Sequence, residues 1–535
     1  MTAQVSGIQY QRIRAPRGHG ESLVTPRPLS PAALVSANRQ RFHAAATTSV
    51  GRVPFDSLRE EARQGIVRLA YDFTQQYRDV GSLPDTSAPL ILSGHQPALY
   101  HPGVWFKNFL IDRIATNVSG TAINVIVDND TAPAPSISAL SGTPGEPRPA
   151  RIAYDEPGPQ QPWEMTTIHS LEMLRSFSKR TVETFGKFVA DPMIVSFWPD
   201  VLAAIEAGKP LGQAFSQARN QLEAEFGLNV LDVPLSQLCQ TRWFLTMVGG
   251  ILEEAGRYRE IYNACVNEYR MVHGIRSTSH PVPNLGAEGN WIEVPFWMWT
   301  EENPRRRPLW IAHKESGIRL SDRGDWHTKL ASDGDLVTEL QSLRACRVYV
   351  RPRALATTTV LRLAASDLFI HGIGGAKYDQ VTDEIIRRFY FVQPPQFVTA
   401  TASALLPIPR PQATEEDLLE IKRKLRDADF NPERVVDEAA INAPDWASLV
   451  AQKSDLLENI PTLSEKSSWH RQLQEVNAAM RERITEPVAR LRIERDQVAQ
   501  QLQQESLLAS REFPFILFPK DGLRNLLLDL AVKEL

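Results

Sequence analysis

The stretch Leu90-Ile-Leu-Ser-Gly-His-Gln-Pro-Ala-Leu-Tyr-His-Pro-Gly-Val-Trp-Phe-Lys-Asn-Phe109 decides the fold, because it reads as a buried strand that breaks at glycine into a polar loop and then a helix. Pro89 to Leu92 is a short apolar run suited to a strand covered on both faces, and Gly94 ends it where the chain must turn sharply. Pro102 falls where a first helical residue belongs, since its missing N–H is not needed there and its φ is already near the helical value. Beyond it Phe106, Leu110 and Ile114 recur at helical spacing, with Lys107, Asn108, Asp112 and Arg113 on a polar side. A helix is therefore predicted from about Pro102, its free amides and positive dipole end facing His95, Gln96 and His101. Such an end attracts phosphate or carboxylate.

Residues Ala122 to Val127 form a second apolar, β-branched strand, which completes a unit of the length of one βαβ crossover. It ends in Asp128-Asn129-Asp130-Thr131, where acidic side chains at a strand's carboxyl edge can hold a hydroxyl, an amine or hydrated Mg2+. The same residues also suit a plain capped turn. A similar junction recurs later. Arg347 to Val350 reads as a strand followed by Arg351-Pro-Arg353 and a helix from about Ala354 to Ala365, and Leu368 to Ile370 as another strand. That strand opens into His371-Gly-Ile-Gly-Gly-Ala-Lys-Tyr-Asp379 before a helix carrying Val381, Ile385, Ile386 and Phe389. Gly374 and Gly375 allow close backbone approach, and Lys377 is a mobile cation for a phosphate or carboxylate. The loop is neither a Walker loop nor a full G-x-G-x-x-G fingerprint. His95 and His101 lack the spacing and the third ligand of a zinc site, and no G-x-S-x-G elbow occurs.

Composition narrows the classes. The chain has 535 residues, 42% hydrophobic and 23% charged, which suits a soluble globular protein with a large core. A formal charge of -4 offers no general attraction to nucleic acid or to an anionic membrane, so neither is an expected partner. Arg305-Arg306-Arg307 reads as a solvated loop. Cys239, Cys265 and Cys346 show no paired spacing and read as small buried hydrophobes. No apolar leader and no run of eighteen apolar residues is present, so a cytoplasmic location is expected.

The predicted organisation is an N-terminal arm and helix over 1–82, the first part of a Rossmann-like α/β core over 83–164 and a helical insertion over 165–280. The second part of the core covers 281–412, a helical coiled-coil region 413–512 and a docking segment 513–535. Within 1–82, residues 14–40 read as an extended Pro/Arg/Ser-rich arm, and about Ser57 to Tyr77 as an amphipathic helix. Thr131 to Pro162 reads as a long loop or excursion, and Trp291 to Trp299 as an aromatic strand. In the tail Leu473, Val476, Met480, Ile484, Val488, Leu491, Val498 and Leu502 form a coiled-coil seam, bent or broken near Pro487.

Gly94-His-Gln-Pro-Ala-Leu-Tyr-His-Pro-Gly103 resembles the G-Q-Q-x-G-L-x-T-G-P loop of the bacillithiol biosynthesis cysteine-adding enzymes, a family of cysteine ligases. Arg351-Pro352, the following strand and Gly374-Gly375 are similar to that family's second glycine junction. The chain departs from the family at His95, at His101-Pro-Gly103 and at Ala376-Lys-Tyr-Asp379, and its first loop also resembles the shorter WbqC-like proteins. The resemblance implies a core related to nucleotidylyltransferases, a homodimer formed through the coiled coil, and ligation of a cysteine-like amino acid to an amino-sugar conjugate. His95, Gln96, His101, Asp128 and Asp130 are then the catalytic candidates. Gly94, Lys107, Arg351, His371, Gly374, Gly375, Lys377 and Asp379 are the candidates for holding a small anionic substrate. The cofactor stays open, with ATP and Mg2+ as the candidates that an acyl phosphate or adenylate would use. Two alternatives stand beside this one: a nucleotidylyltransferase or sugar-modifying enzyme, and a non-catalytic coiled-coil assembly protein.

Overall fold

Leu90–His95 and Leu368–His371, the strands of the two glycine junctions, lie side by side and parallel, with Leu368 opposite Ile91 and Ile370 opposite Ser93, and the first runs one residue past Gly94, where it was expected to end. The computed structural model describes residues 7–315, 317–331, 335–435 and 444–535. Two compact units divide the chain. One comprises Met1–Leu140, Ala150–Leu406 and Arg511–Leu535, and the other Ser141–Pro149 with Pro407–Ser510.

The first unit is mixed α/β. Its central sheet has the order Glu21–Thr25, Phe397–Ser403, Leu368–His371, Leu90–His95, Thr121–Ile126 and Val230–Pro234, parallel except for the antiparallel edge strand Glu21–Thr25. From Leu90–His95 the chain crosses through the helix Pro102–Asn117 to the neighbour on one side, Thr121–Ile126. From Leu368–His371 it crosses through Ile373–Phe389 to the neighbour on the other side, Phe397–Ser403. Adjacent parallel strands whose connections depart in opposite directions leave a crevice at their carboxyl ends, where open α/β sheets take ligands.

Several strands escaped the sequence reading. Val230–Pro234 is buried throughout within a stretch read as helical, and Glu21–Thr25 lies in the arm read as extended. The strand expected near Arg347 to Val350 runs Val348–Pro352, but it pairs antiparallel with Trp291–Thr300 rather than joining the central sheet. It belongs to a second sheet ordered His327–Ala331, Gly317–Ser321, Arg307–Lys314, Trp291–Thr300 and Val348–Pro352. Alternation of Trp and apolar residues fits such a sheet as well as it fits an α/β strand, so periodicity could not assign the partner. The stretch read as a long excursion carries two paired strands, Ser136–Thr143 and Glu146–Ala153. Arg306 and Arg307 are not a simply solvated loop: they pair with Asp130 at 2.7 Å and with Asp322 at 2.6 Å. Cys239 and Cys265 are buried, whereas Cys346 is exposed at the end of the helix Leu336–Ala345.

Among the described residues the α-helices of the second unit are Glu415–Phe430, Trp446–Glu458, Lys466–Arg483 and Thr485–Leu508. The break falls at Ile484, placing Pro487 in the first turn of the last helix, where its missing N–H costs nothing. Met480 and Ile484 are spent inside this unit, packed with Ala428 and Trp446. The expected docking segment returns to the first unit as a buried turn, Phe515–Leu517, with Phe515 packed on Trp105 at 4.5 Å between ring centres. Among the described residues no helix is long and apolar enough to cross a membrane.

Candidate functional site

Both glycine junctions open into one cavity of about 770 Å³. From the first come Gly94, His95, Gln96, His101 and Lys107; from the second His371, Gly374, Gly375 and Lys377; Asp130 also lines it. Nine of the thirteen candidate residues therefore share the cavity with Asp130 as a tenth, a result that follows from the adjacency of the two strands.

The first helix begins as predicted at Pro102, but it offers few free amides. Pro102 has no N–H, the Gly103 N–H donates to His101 Nδ1 at 3.1 Å, and the Val104 N–H donates to the His101 carbonyl at 3.0 Å. His101 is thus a cap, and its Nε2 lies 3.6 Å from Glu512 Oε2. Gly103 permits the close seating of this helix: an added Cβ would collide with the Ala402 carbonyl oxygen and with the Arg511 guanidinium. Arg511 in turn donates to Thr401 Oγ1 at 3.0 Å and to the Ala402 carbonyl at 2.9 Å.

The second junction differs from its reading as a glycine loop. The helix Ile373–Phe389 starts immediately after Gly372, so Gly374, Gly375 and Lys377 stand in its first turns. Among the described residues the N–H groups of Ile373, Gly374 and Gly375 have no hydrogen-bond acceptor, as expected at a helix start. The free amides are therefore at the second helix, not the first. Gly375 also makes room for a histidine, since a Cβ there would come within 2.8 Å of His371 Nδ1. The other ring nitrogen, Nε2, lies 2.8 Å from Asp379 Oδ2. Burial raises the Asp379 carboxyl, but Arg362 at 2.5 Å and His371 outweigh it and hold the group well below the usual carboxylate range.

Cations dominate the lining. Among the described residues Arg14, Arg17, Lys107, Lys377 and Arg511 share the lining with two acids, Asp130 and Glu512. Asp130 is already committed: it accepts from the Gln96 amide and pairs with Arg306 at 2.7 Å. Burial, helped by Lys107, pushes His95 down to about 3, so its ring is neutral near pH 7. Its Nδ1 faces the Gln96 carbonyl at 3.2 Å and its ring meets Tyr100 edge-on. Burial, helped by Arg219, pushes Lys107 down to about 7.

Three expected site residues lie outside the lining. Asp379 acts behind His371. Arg351, on the second sheet, is buried in a two-fold pair with Glu164, both contacts 2.8 Å. Asp128 is buried beside it and accepts from Ser236 N at 2.9 Å and Ser236 Oγ at 2.5 Å. Burial and the Glu164 charge raise Asp128 to about 7. Arg351 and Asp128 are parts of a buried structural network, because the Val348–Pro352 strand belongs to the other sheet. Conversely Arg14, Arg17, Thr401 and Arg511 reach the cavity and were missed. The run Arg12 to Arg17, with three arginines in six residues, was the available signal for the first two.

Among the described residues no three His, Cys, Asp or Glu side chains come together as metal ligands. Set against known proteins, the chain matches no protein family and no curated protein.

Proposed function

We propose that this chain is a carbon–nitrogen ligase that joins a cysteine-like amino acid to an amino-sugar conjugate. Its core is Rossmann-like and related to nucleotidylyltransferases, and residues 413–512 supply a coiled coil for a homodimer. The observation that carries this reading is the arrival of both glycine junctions at one cavity in which cations outnumber acids.

Amide formation needs an electrophilic carboxyl group and an amine held beside it. In this reading ATP is the co-substrate that activates the carboxyl, and Arg14, Arg17 and Lys377 hold its phosphates. The N–H groups of Ile373, Gly374 and Gly375 face the negative charge that grows on the attacked carbonyl oxygen, where fixed dipoles act with little reorganisation. The amine nitrogen forms the new C–N bond and gives up one proton to solvent, and the phosphate or nucleotide departs with the electron pair of the bond it loses. Neutral His95 accepts a hydrogen bond from the amine and so aims its lone pair. Gln96 and Arg306 fix Asp130 from two sides, which orients the polar wall of the site.

The test is incubation of the full chain with cysteine, an amino-sugar carboxylate conjugate, ATP and Mg2+, followed by mass spectrometry. Formation of the amide with loss of water overall is the expected result. Transfer of a nucleotide to the sugar without cysteine incorporation would replace this reading with a nucleotidylyltransferase. No thermal stabilisation by nucleotides, sugars or amino acids would favour an assembly protein, since a ligand at about a hundred times its Kd adds roughly 2.7 kcal/mol.

A further inference from the structure

Lys107 is a buried amine with no carboxylate to neutralise it. Only 3% of the residue is exposed, its Nζ donates to the Gly94 carbonyl at 2.7 Å, and among the described residues no ion pair includes it. Its aliphatic stem runs toward the second junction, where its Cδ lies 3.9 Å from the position of a Cβ on Gly372. The amine therefore sits where the two junctions meet.

Among the described residues every charged group lining the cavity or acting on Lys107 is either of the same sign or already engaged. The Leu90–His95 strand contributes His95, and the helix Leu211–Glu225 contributes Arg219, whose own acids are Glu223 at 2.7 Å and Asp232 at 2.5 Å. The second junction contributes Lys377, together with His371, which faces Asp379. Arg14 and Arg17 line the cavity from the N-terminal arm. Asp130 is held by Arg306 and Gln96, and Glu512 lies beside His101 and Arg511. A charged ammonium here lacks a counterion, and burying such a charge is costly unless a partner arrives.

We propose that Lys107 is the innermost oxyanion ligand of the cavity and gains one proton from solvent when a carboxylate or phosphate-type oxyanion binds, so that anion and proton enter together. The inference rests on the anion-holding reading of the cavity given above. Without a ligand, burial first and Arg219 second hold the amine at about 7. A bound oxyanion adds an opposite charge and a hydrogen-bond acceptor, both of which favour the ammonium. No covalent bond forms: Nζ passes from –NH2 to –NH3+ and the oxyanion keeps its charge.

Sulfate, which does not itself titrate near neutrality, is the primary probe. Calorimetric titration of the full chain at pH 8 in two buffers of different ionisation enthalpy reads the protons taken up per anion. A free-site value of about 7 for Lys107 means uptake of about 0.9 proton at pH 8 and close to none at pH 5.5. Lys107→Arg, which keeps the charge at all these pH values, should bind sulfate with no uptake, and Lys107→Met should bind it at least roughly tenfold more weakly. A parallel titration with acetate separates the two sources: preference for sulfate points to a phosphate group, and preference for acetate to a carboxylate. Sulfate binding at pH 8 without proton uptake, or uptake unchanged in Lys107→Arg, would overturn the proposal and leave the anion cavity standing. Failure of both anions to bind would overturn the cavity reading and this inference together.

Discussion

His95 and Lys377 line the same cavity, although one ends the Leu90–His95 strand and the other stands in the first turns of the Ile373–Phe389 helix. Their meeting follows from chain direction. Two neighbouring parallel strands send their helices to opposite sides, so the loops and helix starts above them must face each other across a gap.

Lys377 is exposed and makes no ion pair among the described residues, so its charge is available to a ligand. Lys377→Gln should weaken sulfate binding roughly three- to tenfold, the modest size reflecting solvent screening of an exposed group. The loss should shrink at high salt. Unchanged affinity at low ionic strength would place the bound anion elsewhere.

Two glycines of the junctions should answer oppositely to the same change. Gly103→Ala forces a methyl group against the Ala402 carbonyl and Arg511, and should cost about 1–3 kcal/mol in urea unfolding. Gly374→Ala meets nothing within 4 Å and replaces a helical glycine, so stability should hold or rise by up to about 1 kcal/mol. Equal loss in both variants would contradict the helix start assigned at Gly372.

The sequence made much of this legible because the junction carries its own local signals. Apolar residues before Gly94, Pro102 at a first helical position and Phe106, Leu110 and Ile114 at helical spacing all act over a few residues, and the helix indeed begins at Pro102. What failed was long-range. Val348–Pro352 looks like any buried strand, and only its partner Trp291–Thr300 decides that Arg351 points away from the cavity. Val230–Pro234 is too short to stand out between helices, and nothing local to Thr401 or Arg511 announces that either reaches a site built by residues 94–107 and 371–378.

Asp128 should make stability depend on pH. Its folded value of about 7 lies above the usual carboxylate value, so between the two the folded state holds a proton that the unfolded state has lost. Stability from this group is present below the unfolded value and falls as pH rises to about 7, by at most about 4 kcal/mol. Asp128→Asn keeps an acceptor for Ser236 and should raise the Tm at pH 8 while changing it little at pH 4. A loss of Tm at pH 8 would show that the carboxylate is the favoured form.

Arg351→Ala should unfold the chain more easily without touching ligand affinity. It leaves Glu164 buried and unpaired beside Asp128, a change that costs about 3–5 kcal/mol. Denaturant unfolding and sulfate titration on the same sample measure the two effects. Weaker sulfate binding at unchanged stability would return Arg351 to the site.

Convergence of both glycine junctions on one anion-holding cavity is tested most directly by anomalous diffraction from crystals of the full chain soaked in selenate. The predicted result is a selenium peak between Lys107 and Lys377, within hydrogen-bond reach of the Ile373–Gly375 amides. Peaks confined to the outer surface, with apolar side chains closing the space between His95 and Lys377, would contradict it.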